Sequence, residues 1–131
     1  MIEINWLGVL IATVAGMVLG ALWYSPLLFG NLWMKCLGKT PETIGSATLP
    51  MIGSVLACSL SATGVAILFS LVGASSLADA LSLGAVLGLF IIFPALLSDN
   101  LFCGWGNTLL LIQSGYRIAS VLFMSVIMYW V

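Results

Sequence analysis

The chain has 131 residues, 63% of them hydrophobic and only 5% charged; three basic and four acidic side chains leave a net charge of -1, and there is no histidine. An ordinary soluble domain is roughly a quarter charged and a disordered chain is poor in hydrophobic residues, so this composition excludes both and leaves the bilayer as solvent. It also leaves no basic surface for nucleic acid.

Without histidine, the commonest metal ligand and general base are missing, and neither a metal site nor any other cofactor is expected. Cys36, Cys58 and Cys103 are scattered, odd in number and outside any C-x-x-C spacing, which argues against a disulfide framework. Small buried packing is the expected role of Cys58. The opening Met1-Ile2-Glu3 has no basic residue and no A-x-A site follows it, so a cleaved signal peptide is not expected.

In chain order, the first apolar run covers residues 4–24 and is long enough to cross a hydrocarbon core of ~30 Å as a helix. Trp6 and Trp23 stand ~26 Å apart along it, as aromatic belts at both interfaces require. Gly8, Ala12, Gly16 and Gly20 recur every fourth residue, giving a face on which another helix can lie close. Tyr24 follows, and Ser25-Pro26 then pairs a capping residue with a proline, predicting a short helix over residues 26–37. Leu27, Leu28, Phe29, Leu32 and Trp33 suit a segment lying in the interface. Thr40-Pro41-Glu42 repeats the cap-and-proline signal.

Leu49-Pro50 opens a second run, residues 50–73, with Ser54, Cys58, Ala62, Ala66 and Ser70 at the same four-residue spacing. Only Ala74-Ser75-Ser76 separates it from a third run, residues 77–98, and so short a turn predicts an antiparallel helical hairpin. The third run carries Ala80, Gly84 and Gly88, with Pro94 as a kink signal before Asp99. Residues 104–107, Gly-Trp-Gly-Asn, read as a turn beside an interfacial Trp105, and a fourth run spans residues 108–130 with Gly115, Ala119 and a terminal Trp130.

The expected fold is all-α: a single transmembrane domain over residues 1–131, a four-transmembrane-helix bundle with a short interfacial helix between the first and second spans. Trp6, Trp23, Tyr24, Pro26, Trp33, Trp105 and Trp130 are its expected interfacial residues. Strands are rejected because the runs are twice a barrel strand's length and lipid offers no partner to an open edge. Lys35, Lys39 and Arg117 fall toward one face, Glu3 and Asp79 toward the other, so the positive-inside rule places both termini on the non-cytoplasmic side.

Arg117 is the residue that needs an explanation, because its charge is permanent and a mid-bilayer position disfavours insertion by about 2.5–3.5 kcal/mol. Three readings stay open. Its stem snorkels ~9 Å to the nearer interface; it pairs with Asp99 from the same side; or it holds a ligand. Gln113 shares its helix face four residues back, and Asn100, Asn107, Ser114 and Tyr116 add polar groups to that end. Arg117, Asp99, Gln113, Tyr116 and Asn107 are therefore the candidate ligand-binding set, fitted to an anionic head group or small anion. Gly8, Ala12, Gly16, Gly20, Gly84, Gly88 and Gly115 are the candidate helix-packing set.

Asn5-Trp6-Leu7, the run from Gly20 through Trp23-Tyr24-Ser25-Pro26 to Phe29-Gly30 with Trp33 after it, and Gly115-Tyr116-Arg117 with a terminal Trp130 resemble the small bacterial membrane proteins catalogued as domain of unknown function 1761. The resemblance covers nearly the whole chain. It implies four spans and a bacterial inner-membrane origin, carries no activity, and marks the Trp23 to Trp33 corner as a structural feature in its own right.

Two functions compete, the first as the leading reading and the second as its alternative. One is a structural or accessory subunit whose glycine-striped helices pack against membrane lipids, further copies of itself or a larger complex. The other is an oligomeric transporter or channel for a small anion or amphiphile, with Arg117 selecting charge. An enzyme comes third, since the sequence offers no nucleophile-base pair.

Overall fold

A computed structural model describes residues 2–131, which form helices and turns with no strand among them. The helices are α1 (Trp6–Trp23), α2 (Gly30–Leu37), α3 (Thr48–Leu71), α4 (Leu77–Val86), α5 (Phe93–Cys103) and α6 (Asn107–Trp130), with a π-helical turn, Leu87–Ile92, joining α4 to α5. Four helical stretches are long and apolar enough to cross a membrane: α1, α3, the continuous Leu77–Cys103 and α6. The protein is a multi-pass membrane protein.

Local chemistry sets the helix ends. Asn5 caps α1 by accepting from the Gly8 N–H at 3.0 Å. Ser76 caps α4 with a full capping box: its hydroxyl accepts from the Asp79 N–H at 3.0 Å, and the Asp79 carboxylate accepts from the Ser76 and Ser75 N–H groups. Asp79 thereby stabilises a helix start. Pro50 lies in the first turn of α3, where a missing N–H removes no helical bond. Pro94 follows the π-helical turn, and the reason is steric. A proline ring strikes the carbonyl four residues back, here Phe90, and one wider turn relieves that clash while the span continues.

Two boundaries differ from the sequence reading. The third span runs to Cys103 because Asp99 and Asn100 extend α5. Asn100 is buried and its side-chain amide donates to the Gly106 carbonyl at 3.1 Å, tying the helix end to the turn where Gly104 and Gly106 take positive φ of 70° and 90°. The interfacial helix begins at Gly30, since Ser25 does not cap it: the Ser25 hydroxyl donates back to the Leu22 carbonyl at 2.7 Å, closing α1, and Pro26 to Phe29 form a turn. Thr40 to Thr43 likewise close a single turn through the Thr43 hydroxyl.

α6 is the hub. It packs against α1, α3 and the whole third span, whereas α3 and α4 make at most marginal contact despite the short turn joining them. The predicted hairpin is thus one of connection: its arms run antiparallel but splay, and α6 receives both. Small residues decide these contacts. Ala12, Ala62, Ala66 and Cys58 are buried with Val9, Val65, Met124 and Met128 along the α1–α3–α6 seam. Ala80, Gly84 and Gly88 are buried where the third span meets α6.

Candidate functional site

The cationic end of the α1–α3–α6 seam is built around one corner. α1 ends at Trp23, and the chain turns back so tightly that a methyl group on Gly30 would collide with the carbonyl of Tyr24 and the backbone of Ser25. The Gly30 N–H donates to the Ser25 carbonyl at 2.9 Å and the Phe29 N–H to the Trp23 carbonyl at 3.0 Å. Only glycine permits this approach. The corner folds α2 over the end of α1 and brings its aromatic rings together: Trp23 on Phe29 at 5.0 Å and Tyr24 edge-on to Trp33 at 5.2 Å between centroids.

α6 is locked to this corner by two long-range hydrogen bonds. Trp23 Nε1 donates to the Ile112 carbonyl at 2.9 Å, its ring lying against Gly115, where an added Cβ would stand 2.8 Å from Trp23 Cζ2. The Tyr116 hydroxyl crosses to α1 and donates to the Gly16 carbonyl at 3.0 Å, with the buried Cys58 thiol 3.9 Å away. Tyr116 also meets Tyr24 edge-on at 5.5 Å. These bonds fix the register of α6 against α1 and put Arg117 level with the last turn of α1. Its guanidinium carbon lies 5.2 Å from the centroid of the Tyr116 ring, a cation–π distance.

Between these elements lies a cavity of about 440 Å³. Tyr24 and Trp33 roof it; Gln113, Tyr116 and Arg117 form its α6 wall; Met17, Gly20 and Ala21 of α1 and Pro50, Met51, Ser54 and Cys58 of α3 complete it. Arg117 is the one charged residue among them, and it is exposed. Toward the far end of the seam Ala12, Ala62, Met124 and Met128 are closely packed.

The structure thus brings together Gln113, Tyr116 and Arg117 of the candidate ligand set and leaves out Asp99 and Asn107. The reason is register. Gly88 faces Ile118 and Gly84 faces Leu122 across the α4–α6 contact, so Asp99, eleven residues beyond Gly88, lies near the start of α6, ~15 Å along the helix from Arg117. Asn107 is itself the first residue of α6 and is exposed, and Asn100 serves its own turn. Of the tryptophans, Trp6, Trp105 and Trp130 are exposed while Trp23 and Trp33 turn inward to the corner, and Pro26 lies exposed in the turn.

Every residue of the candidate packing set except Gly20 and Gly115 is buried, and those two meet the Tyr116 and Trp23 rings. The sequence reading had Ser54 and Cys58 only as members of a packing stripe and Gly30 only within the family resemblance, and it missed Met51, whose place depends on how α3 lies against α1.

A family model described as Protein of unknown function (DUF1761) matches residues 7–129. No curated protein and no solved structure matches the chain.

Proposed function

The chain belongs to the DUF1761 family, whose function is unknown, and from that premise we propose that it binds a small anion or anionic amphiphile in the cavity beside Arg117, as a non-enzymatic carrier of the bacterial inner membrane. One observation carries this reading. A permanent cation lines a cavity between helices long and apolar enough to span a membrane, and none of the four acidic residues lines it. A guanidinium held in hydrocarbon requires a counter-charge or an aqueous outlet, and its planar fork suits phosphate or carboxylate. Gln113 and the Tyr24 hydroxyl supply neutral polar groups beside it. The three cations share one end, which the positive-inside rule assigns to the cytoplasm, with both termini opposite. Because Met124 and Met128 fill the seam beyond Tyr116, any passage across the membrane needs a second copy or a partner.

The test uses the corner's own tryptophans, in a background carrying Trp6→Phe, Trp105→Phe and Trp130→Phe at the three exposed positions. In neutral detergent, a short-chain anionic amphiphile is expected to change the remaining Trp23 and Trp33 emission saturably where its zwitterionic counterpart does not, and Arg117→Leu should abolish the change. An anion response that survives Arg117→Leu overturns the reading.

The accessory-subunit reading draws support from the third span, which packs on α6 and makes at most marginal contact with the other helices among the described residues. It predicts a second membrane protein, or further copies of the chain, in fixed stoichiometry after mild detergent extraction; recovery of a lone monomer counts against it.

A further inference from the structure

We infer that the anion held at Arg117 is the head group of an anionic membrane phospholipid, whose phosphate has no choline cation beside it, taken sideways from the leaflet at the cationic end. This rests on the reading above that Arg117 marks an anion site, and adds the ligand's class and route.

Three observations carry it. First, the cavity is roofed on the interface side and open on its flank: Tyr24 and Trp33 close it, Cys58 and Tyr116 form a buried floor, and Ala21, Met51 and Ser54 are exposed where the end of α1 meets the start of α3. That opening lies between α1 and α3, two helices long and apolar enough to span a membrane, so it is on the side of the bundle from which a lipid arrives. Second, charge and apolar surface are segregated. Arg117 and Gln113 share one wall on α6, while Met17, Ala21 and Met51 line the α1 and α3 side, leaving a polar wall for a head group and an apolar one for the start of its chains. A bare phosphate would satisfy the first and leave most of about 440 Å³ unfilled. Third, the position of the charge is fixed. The Trp23 and Tyr116 hydrogen bonds hold Arg117 level with the last turn of α1, and its guanidinium carbon stays 5.2 Å from the Tyr116 ring at the cavity wall, beside the aromatic corner. Planar guanidinium recognises phosphate through two parallel hydrogen bonds.

The experiment compares lipid and free anion on the same protein. In nanodiscs of phosphatidylcholine with a minority of phosphatidylglycerol, native mass spectrometry should find phosphatidylglycerol enriched among bound lipids over the bulk. Arg117→Gln should lower that enrichment at least about tenfold, the loss expected from one charge-assisted bond. The Lys35→Gln, Lys39→Gln double variant should leave it unchanged. Met51→Trp, which fills the flank and keeps the guanidinium, should lower it as Arg117→Gln does, and it carries the test if Arg117→Gln does not fold. Enrichment that ignores both Arg117→Gln and Met51→Trp overturns the inference. In discs of pure phosphatidylcholine, saturable binding of inorganic phosphate without any phosphatidylglycerol enrichment in the mixed discs also overturns it, yet leaves the anion site standing. Absence of both overturns the inference and the reading beneath it together.

Discussion

α6 meets its neighbours on two sides by different means. Toward the third span, backbone lies against backbone: a Cβ on Gly84 would stand 2.9 Å from Leu122 Cα and 3.2 Å from the Val121 carbonyl oxygen. Toward α1, glycines face side-chain ends: a Cβ on Gly8 would stand 2.9 Å from the Met128 sulfur, and one on Gly16 3.0 Å from the Met124 methyl. The first contact is rigid, since only movement of a whole helix relieves it. The second is compliant, because methionine has three rotatable bonds and repacks. The same residue type at the same spacing thus has opposite tolerance on the two sides.

Substitutions can break or sharpen this contrast, and each can be read as a change in unfolding free energy in a fixed detergent. Gly84→Ala should have the largest effect, a destabilisation of about 1–3 kcal/mol from overpacking against backbone. If Gly84→Ala proves neutral, the rigid contact does not exist. Tyr116→Phe removes only the hydroxyl that donates to the Gly16 carbonyl, and a loss of about 1 kcal/mol is expected, with the cavity wall retained. Gly8→Ala should fall within about 1 kcal/mol of wild type, since the gain in helix propensity offsets a shift of Met128. A penalty as large as that of Gly84→Ala would erase the difference between the two sides. Ser125→Ala should be smallest in magnitude and neutral to stabilising, because that hydroxyl is fully buried and has no hydrogen-bond partner among the described residues.

The four spans were legible because hydropathy is a property of segments. Predicted and observed limits of the first, second and fourth agree within two residues. The turn at Gly104 and Gly106 was legible because two glycines between apolar runs can take positive φ at no steric cost. Reading failed where a side chain had a choice of partner. Ser25 is a good capping residue by type but bonds backward to Leu22, and Asn100 looks like the end of a span yet is buried inside its last turn. For the cavity, Gln113, Tyr116 and Arg117 were found because one helix face carries them all. Asp99 was grouped with them because it is near in topology, and the register of α4 on α6 holds it far away. The stripe pattern marked Ser54 and Cys58 for helix packing, but that they and Met51 line a cavity required the lie of α3 against α1.

The central position of α6 bears on how the chain is made. Synthesis proceeds from the N-terminus at about 5–20 residues per second, so the helix on which the others converge is the last of the four to leave the ribosome. α1 and α3 already touch and can pair early, but the third span waits in lipid without a docking surface until Leu122 and Ile118 arrive to meet Gly84 and Gly88. A nascent chain halted before that point is therefore a two-helix unit with a loose third helix, and quality control has a definite window in which to act on it.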